Sequence, residues 1–148
     1  MGRKNRREKI YIKPLPTVEQ LKNNKKYTRD PDPQPGRMEI WFADLDFHFS
    51  SNIQGGSRPV LIVSNDINNA KSNTVTVIPM TSRMKRSELP THVWVDKEAM
   101  SGMYKGSMVL AEQITTIDKS RLVRRLGTCR DKGAIKQIET SIMKHIFK

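Results

Sequence analysis

The stretch Gly55-Gly56-Ser57-Arg58-Pro59 runs straight into Val60-Leu61-Ile62-Val63, and no other feature of the chain restricts its fold as much. The apolar run is too short for a buried helix and too rich in β-branched residues for a loop, so a buried strand is predicted there. The two glycines let the backbone turn or approach a ligand closely, and the proline opens the strand. Arg58 is thereby expected at the mouth of a rigid element. Its guanidinium is a permanent cation with a planar fork of donors, suited to a phosphate. For one arginine taken alone, a carboxylate partner across the turn explains the same placement.

The rest of the chain after Gly36 reads as more short strands. Ile40 to Leu45 forms one, followed by a loop, 46–56, that contains His48 and two phenylalanines, Phe47 and Phe49. Ser64 to Asn69 has turn chemistry, with at most a short helical turn. Thr74 to Met80 alternates Val75 and Val77 with threonines, which predicts a strand with one buried face. Thr91 to Val95 sets His92 and Trp94 opposite Val93 and Val95. Ser107 to Ile114 is predicted as one further strand. Asp118 is expected to cap a helix over Lys119 to Leu126 that Gly127 stops. A closing helix from about Asp131 places Ile135, Ile138, Ile142 and Ile146 on one stripe, with His145 packing beside it. Strands followed by helices give an α+β class, and short strands in this number suggest a small, strongly curved antiparallel sheet or partly open barrel with a C-terminal helix.

Charge divides the chain. Residues 1 to 37 hold eleven Lys/Arg against four Asp/Glu, and residues 38 to 148 hold sixteen against eleven, within a net charge of +12. Both parts attract polyanions, nucleic acid first. The first 37 residues are basic, poor in apolar side chains and interrupted by Pro31, Pro33, Pro35 and Gly36. They read as an extension with a boundary near residue 37, serving either as a solvated tail or as an electrostatic hand for RNA or an acidic partner. Thr17 to Gln20 has the spacing of a capping box for a short helix. No run approaches the ~18 apolar residues of a spanning helix, so a soluble, cytoplasmic protein without membrane association is expected. Cys129 is the single cysteine, and His48, His92 and His145 have no ligand spacing. Neither a metal nor another cofactor is expected.

Polar groups collect at predicted strand ends: Gln54, Ser57 and Arg58 entering the second strand, Thr81, Ser82 and Arg83 leaving the third, Glu112 and Gln113 near the end of the last. Cations, hydroxyls and amides suit phosphate oxygens and base edges. No GxSxG, GxGxxG or P-loop pattern is present, and Asp44 and Asp46 read as solvated or turn-bonding rather than as an acid–base pair.

These motifs also occur together in a known family. Gly36-x-x-x-Ile40-Trp-Phe-Ala-Asp-Leu45, Gln54-Gly-Gly-Ser-Arg-Pro-Val-Leu-Ile-Val63, Ile78-Pro-Met-Thr-Ser82, Leu89-Pro-Thr-His-Val93 and Glu112-Gln-Ile-Thr-Thr-Ile-Asp-Lys-Ser-Arg-Leu122 resemble the MazF/PemK toxins, in order, from Gly36 to the C-terminus. The resemblance implies a sheet-rich barrel, a homodimer, metal-free cleavage of single-stranded RNA at a short sequence, and inhibition by an acidic antitoxin that occupies the RNA groove. It places the family's catalytic arginine on Arg58 and its catalytic threonine on Thr81. His48, with an ordinary pKa near ~6.5, is the candidate for proton transfer. Gln54, Ser57, Ser82, Arg83, Lys85, Arg86 and Gln113 are the candidate RNA contacts. The loop after Leu45 departs from the family's usual pattern, reading Leu45-Asp46-Phe47 and Asn52-Ile53-Gln54. A non-catalytic binding module of the same fold, like the gyrase-trapping CcdB toxins, is the rival reading, and it needs neither Arg58 nor Thr81.

Overall fold

The computed structural model describes residues 28–46, 53–84 and 86–148. Among these residues, eight strands form one antiparallel, strongly curved sheet: β1 (Glu39–Leu45), β2 (Gly56–Ile62), β3 (Thr74–Thr81), β4 (His92–Val95), β5 (Met100–Ser101), β6 (Ser107–Leu110), β7 (Thr115–Asp118) and β8 (Leu122–Cys129). Their order is β4-β6-β3-β2-β1-β8-β5, with β7 also paired to β3. A short helix, α1 (Asp66–Lys71), joins β2 to β3, and α2 (Lys132–Phe147) closes the chain. Among the described residues, no helix is long and apolar enough to cross a membrane.

Alternation along the central strands sends side chains to two interiors. On one side Met38, Ile40, Leu61, Ile78, Met80, Val93, Val95 and Val109 meet Ala134 and Ile138 of α2. On the other, Trp41, Ala43, Val60, Ile62, Val75, Val77 and Leu122 form a second cluster. The one-faced strand expected at Thr74 to Met80 is therefore buried on both faces from Val77 to Met80. Each such side chain contributes roughly 1.5–3 kcal/mol on leaving water.

β2 starts earlier than its apolar run suggests. Gly56, at φ 72°, opens it, and Arg58 lies inside the strand, opposite Ala43 of β1. The pairing of β2 with β3 covers only Val60↔Pro79, Leu61↔Ile78 and Ile62↔Val77. Pro59 and Pro79 have no N–H to give to a ladder, and the pairing stops at them. On its other edge β3 pairs with β6, Met80↔Val109 and Thr81↔Met108.

Two predicted elements differ. The expected strand from Ser107 to Ile114 is broken at Ala111–Gln113 by a 3-10 turn, because β6 and β7 share one edge of β3 in registers that differ by three residues. Glu112 and Gln113 thus stand on a turn, not at a strand end. The helix expected over Lys119 to Leu126 shrinks to a 3-10 turn, Lys119–Arg121, followed by β8. Asp118 does cap it, accepting from the Ser120 N–H at 2.8 Å, but pairing with β1 and β5 overrides the local signal after one turn. Gly127 is no helix stop: a Cβ there would run into the carbonyl of Ser101 on β5.

The closing helix forms as expected, capped by Asp131, which accepts from the Ala134 N–H at 2.8 Å. Ile135, Ile138 and Ile142 face the core, whereas Ile146 is 54% exposed and His145 is exposed rather than packed. The last core contacts come a turn before the helix ends.

Residues 28–36, which precede β1, lie against the sheet. The Asp30 N–H donates to Val123 O at 2.6 Å, and the Arg29 guanidinium reaches both Ser120 O (2.7 Å) and Asp44 Oδ2 (2.6 Å). The capping box at Thr17 to Gln20 lies outside the described residues.

Candidate active site

Arg58 sits one pleat beyond Val60, on the same face of β2 as the second apolar cluster; Thr81 sits one pleat beyond Pro79 on β3, and Val60 and Pro79 face each other. The two predicted catalytic side chains therefore project from the same sheet face, just past the point where two prolines end the ladder between their strands.

The guanidinium is held from behind. Its Nε–H donates to Gly55 O at 3.0 Å, and Nη1 donates to the side-chain oxygen of Gln54. Gln54 is fixed in turn, since its backbone N–H donates to Gln113 Oε1 at 2.6 Å. Gln113 can reach across only because the 3-10 turn carries it off the edge of β3. Three predicted residues thus form one hydrogen-bonded chain, from Gln113 through Gln54 to Arg58.

Among the described residues, no carboxylate pairs with the Arg58 guanidinium. Arg29, Arg37, Arg86, Arg121 and Arg125 each sit against a carboxylate: Asp44, Glu139, Glu88, Asp46 and Glu39 respectively. The oxygens that hold Arg58 are neutral. Partial burial, which disfavours the charged form, pulls its pKa below the ordinary arginine value. A half-buried guanidinium remains charged at neutral pH, so the site carries a desolvated positive charge for which an anion is the natural complement.

The other predicted residues divide. Ser57 donates to Asp44 Oδ1 at 2.6 Å, so its hydroxyl is already engaged next to Arg58. Thr81 Oγ1 accepts the Arg83 N–H at 3.2 Å, and its own proton remains for a ligand. Thr81 and Ser82 line a cavity of about 260 Å³. Gln54 and Gln113 line another, of about 310 Å³, with Asp46, Glu112 and Thr115. Arg83 is exposed, and Arg86 is exposed at φ 38°, with its guanidinium 3.4 Å from Glu88. His48, Phe47, Phe49 and Lys85 lie outside the described residues.

Sequence reasoning did not find the role of Asp44, whose two oxygens tie Ser57 to Arg29. It also did not find the pair formed by His92 Nε2 and Glu112 Oε1 at 2.7 Å, which anchors the turn that carries Gln113 to β4. Alternation placed His92 correctly, but its partner lies twenty positions away, and only the fold brings them together.

A family model described as PemK-like, MazF-like toxin of type II toxin-antitoxin system matches residues 36–146. The chain belongs to this family. Among curated members, Endoribonuclease EndoA of Bacillus subtilis is 43% identical over 96 residues, 65% of this chain and 81% of that protein. Endoribonuclease MazF of Staphylococcus saprophyticus is 39% identical over 106 residues, 72% of this chain and 86% of its own. Among solved structures, a mycobacterial endoribonuclease in complex with its cognate antitoxin superposes with a TM-score of 0.61 at 26% identity, covering 76% of this chain and 94% of that one. The nearly closed antiparallel sheet with a C-terminal helix is thus the MazF/PemK fold.

Proposed function

We propose that this toxin is a sequence-specific endoribonuclease that cuts single-stranded RNA without a metal ion. The observation that carries the reading is Arg58: a half-buried guanidinium on β2 fixed by neutral oxygens, with a threonine hydroxyl on the same face of the next strand. The family match and the names of the curated relatives support the reaction class.

In this mechanism the 2′-oxygen of RNA attacks the adjacent phosphorus, the bond from phosphorus to the 5′-oxygen breaks, and the products are a 2′,3′-cyclic phosphate and a 5′-hydroxyl. As the phosphorane forms, negative charge builds on its non-bridging oxygens. Arg58 neutralises that charge from a position set in advance by Gln54 and Gly55, and Thr81 donates a hydrogen bond to one of the same oxygens. Arg58 is a poor proton acceptor because of its high pKa. His48 takes the 2′-hydroxyl proton, and the 5′-oxygen takes a proton from solvent water as it leaves. Gln54, Ser57, Ser82, Arg83, Lys85, Arg86 and Gln113 hold the flanking nucleotides.

The protein acts as a cytoplasmic homodimer, and an acidic segment of a cognate antitoxin occupies the same basic groove. The basic residues before residue 38 form an N-terminal extension to the 38–148 toxin domain.

Incubation of purified protein with a long unstructured RNA in EDTA tests the reading. Cleavage should persist, with 5′-hydroxyl ends and cyclic phosphates at the 3′ ends. Dependence on added metal, or 5′-phosphate ends, would contradict the mechanism. Intact RNA together with slowed gyrase supercoiling would favour the binding-module reading.

A further inference from the structure

Glu112 precedes Gln113 in the three-residue turn Ala111–Gln113. Successive side chains of a 3-10 turn leave it about a third of a turn apart, so these two reach in different directions. Glu112 Oε1 meets His92 Nε2 at 2.7 Å, whereas Gln113 Oε1 accepts the Gln54 N–H at 2.6 Å. The His92 side chain is buried, and its strand is paired to β6 through His92↔Leu110, so this side of the turn is held by the sheet. Backbone bonds fix the ends of the turn: the Ala111 N–H donates to Thr91 O at 2.8 Å, and the Ile114 N–H donates to Ala111 O at 3.2 Å. Its middle is fixed by a side chain. Glu112 Oε2 is buried without a hydrogen-bond partner among the described residues, so within them the carboxylate is held by His92.

We propose that Glu112 and His92 are positioning residues for RNA cleavage, acting on Arg58 through Gln113 and Gln54; the inference rests on the endoribonuclease reading. The pair sets the rotation of the turn, the turn aims Gln113 at the Gln54 backbone, and the Gln54 side chain with Gly55 O orients the guanidinium. A carboxylate left without its donor is costly where it is partly buried. Without the pair, Glu112 turns toward water and the short turn rotates with it. Gln113 then leaves Gln54, and Arg58 loses the support that orients it in advance. Misplacing a charge-stabilising group by on the order of 1 Å weakens the transition state more than it weakens substrate binding, so the loss falls on kcat.

The test is a double-mutant cycle in the full-length protein, with kcat and KM measured separately on one unstructured RNA and folding checked by urea unfolding. Glu112→Ala should lower kcat roughly tenfold with KM within about twofold of the wild type. Glu112→Gln should restore most of that loss, because its amide oxygen accepts from the same ring nitrogen. In a Gln113→Ala background, adding Glu112→Ala should lower kcat by no more than about twofold, since the route to Arg58 is already cut. Independent losses that multiply to about 10²-fold would overturn the proposal. So would wild-type kcat in Glu112→Ala, a Glu112→Gln protein as slow as Glu112→Ala, or a Glu112→Ala chain that does not fold, which would assign the pair to stability alone. If the wild-type protein cuts no RNA, the endoribonuclease reading itself fails, which is a separate outcome.

Discussion

Neighbouring residues of β2 face two different interiors. Leu61 points with Ile78 and Met80 toward α2, into a cluster sealed by Ala134 and Ile138. Val60 and Ile62 point the other way, with Val75, Val77 and Leu122. The helix-side cluster is closed by apolar side chains, while the opposite one gives way, one pleat on, to Arg58 and Thr81. One sheet therefore separates two tasks. The helix side supplies stability, and the other side holds a desolvated cation that needs the whole sheet to stay in place. Substitutions on the two sides should accordingly fail in different assays.

Ile138 is fully buried at the centre of the helix-side cluster. Ile138→Ala should cost about 2–5 kcal/mol in urea unfolding while leaving kcat within about twofold below the transition. A large loss of kcat in the folded protein would break the comparison. On the other side, Thr81→Val, which keeps the shape and removes the hydroxyl, should lower kcat about 10²-fold with little change in unfolding midpoint. Gln113→Ala removes the acceptor that positions Gln54, and should lower kcat/KM roughly tenfold, mostly through kcat. Equal activity would show that the chain from Gln113 to Arg58 is ornamental. The smallest effect belongs to Arg29→Ala: its pair with Asp44 is solvent-exposed, so stability should fall by no more than about 1 kcal/mol, and less at high salt.

The same division explains what could be read from sequence. Apolar periodicity identified the strands around Val60, Val75 and Val93 and the core stripe of α2, because those residues answer to burial alone. It missed β8, where Asp118 gave a true capping signal that lasted one turn before pairing with β1 took over. Glycine was ambiguous in the same way: Gly127 looks like a helix stop, but its role is to let β5 approach. Residue chemistry at predicted strand ends singled out Arg58, Thr81, Gln54 and Gln113 as candidates. It could not show that a slip in register between β6 and β7 lifts Gln113 onto Gln54, nor that Asp44 joins Ser57 to Arg29. Both are contacts between segments far apart in the chain, and no local pattern encodes them.

The central claim is that the uncompensated guanidinium of Arg58 provides the transition-state charge, and paired measurements on Arg58→Ala test it most directly. Cleavage of single-stranded RNA in EDTA should fall by about 10³-fold or more. The urea midpoint should stay close to that of the wild type, since removing Arg58 also removes a half-buried charge that no carboxylate among the described residues offsets. Undiminished cleavage by a folded Arg58→Ala protein would contradict the account.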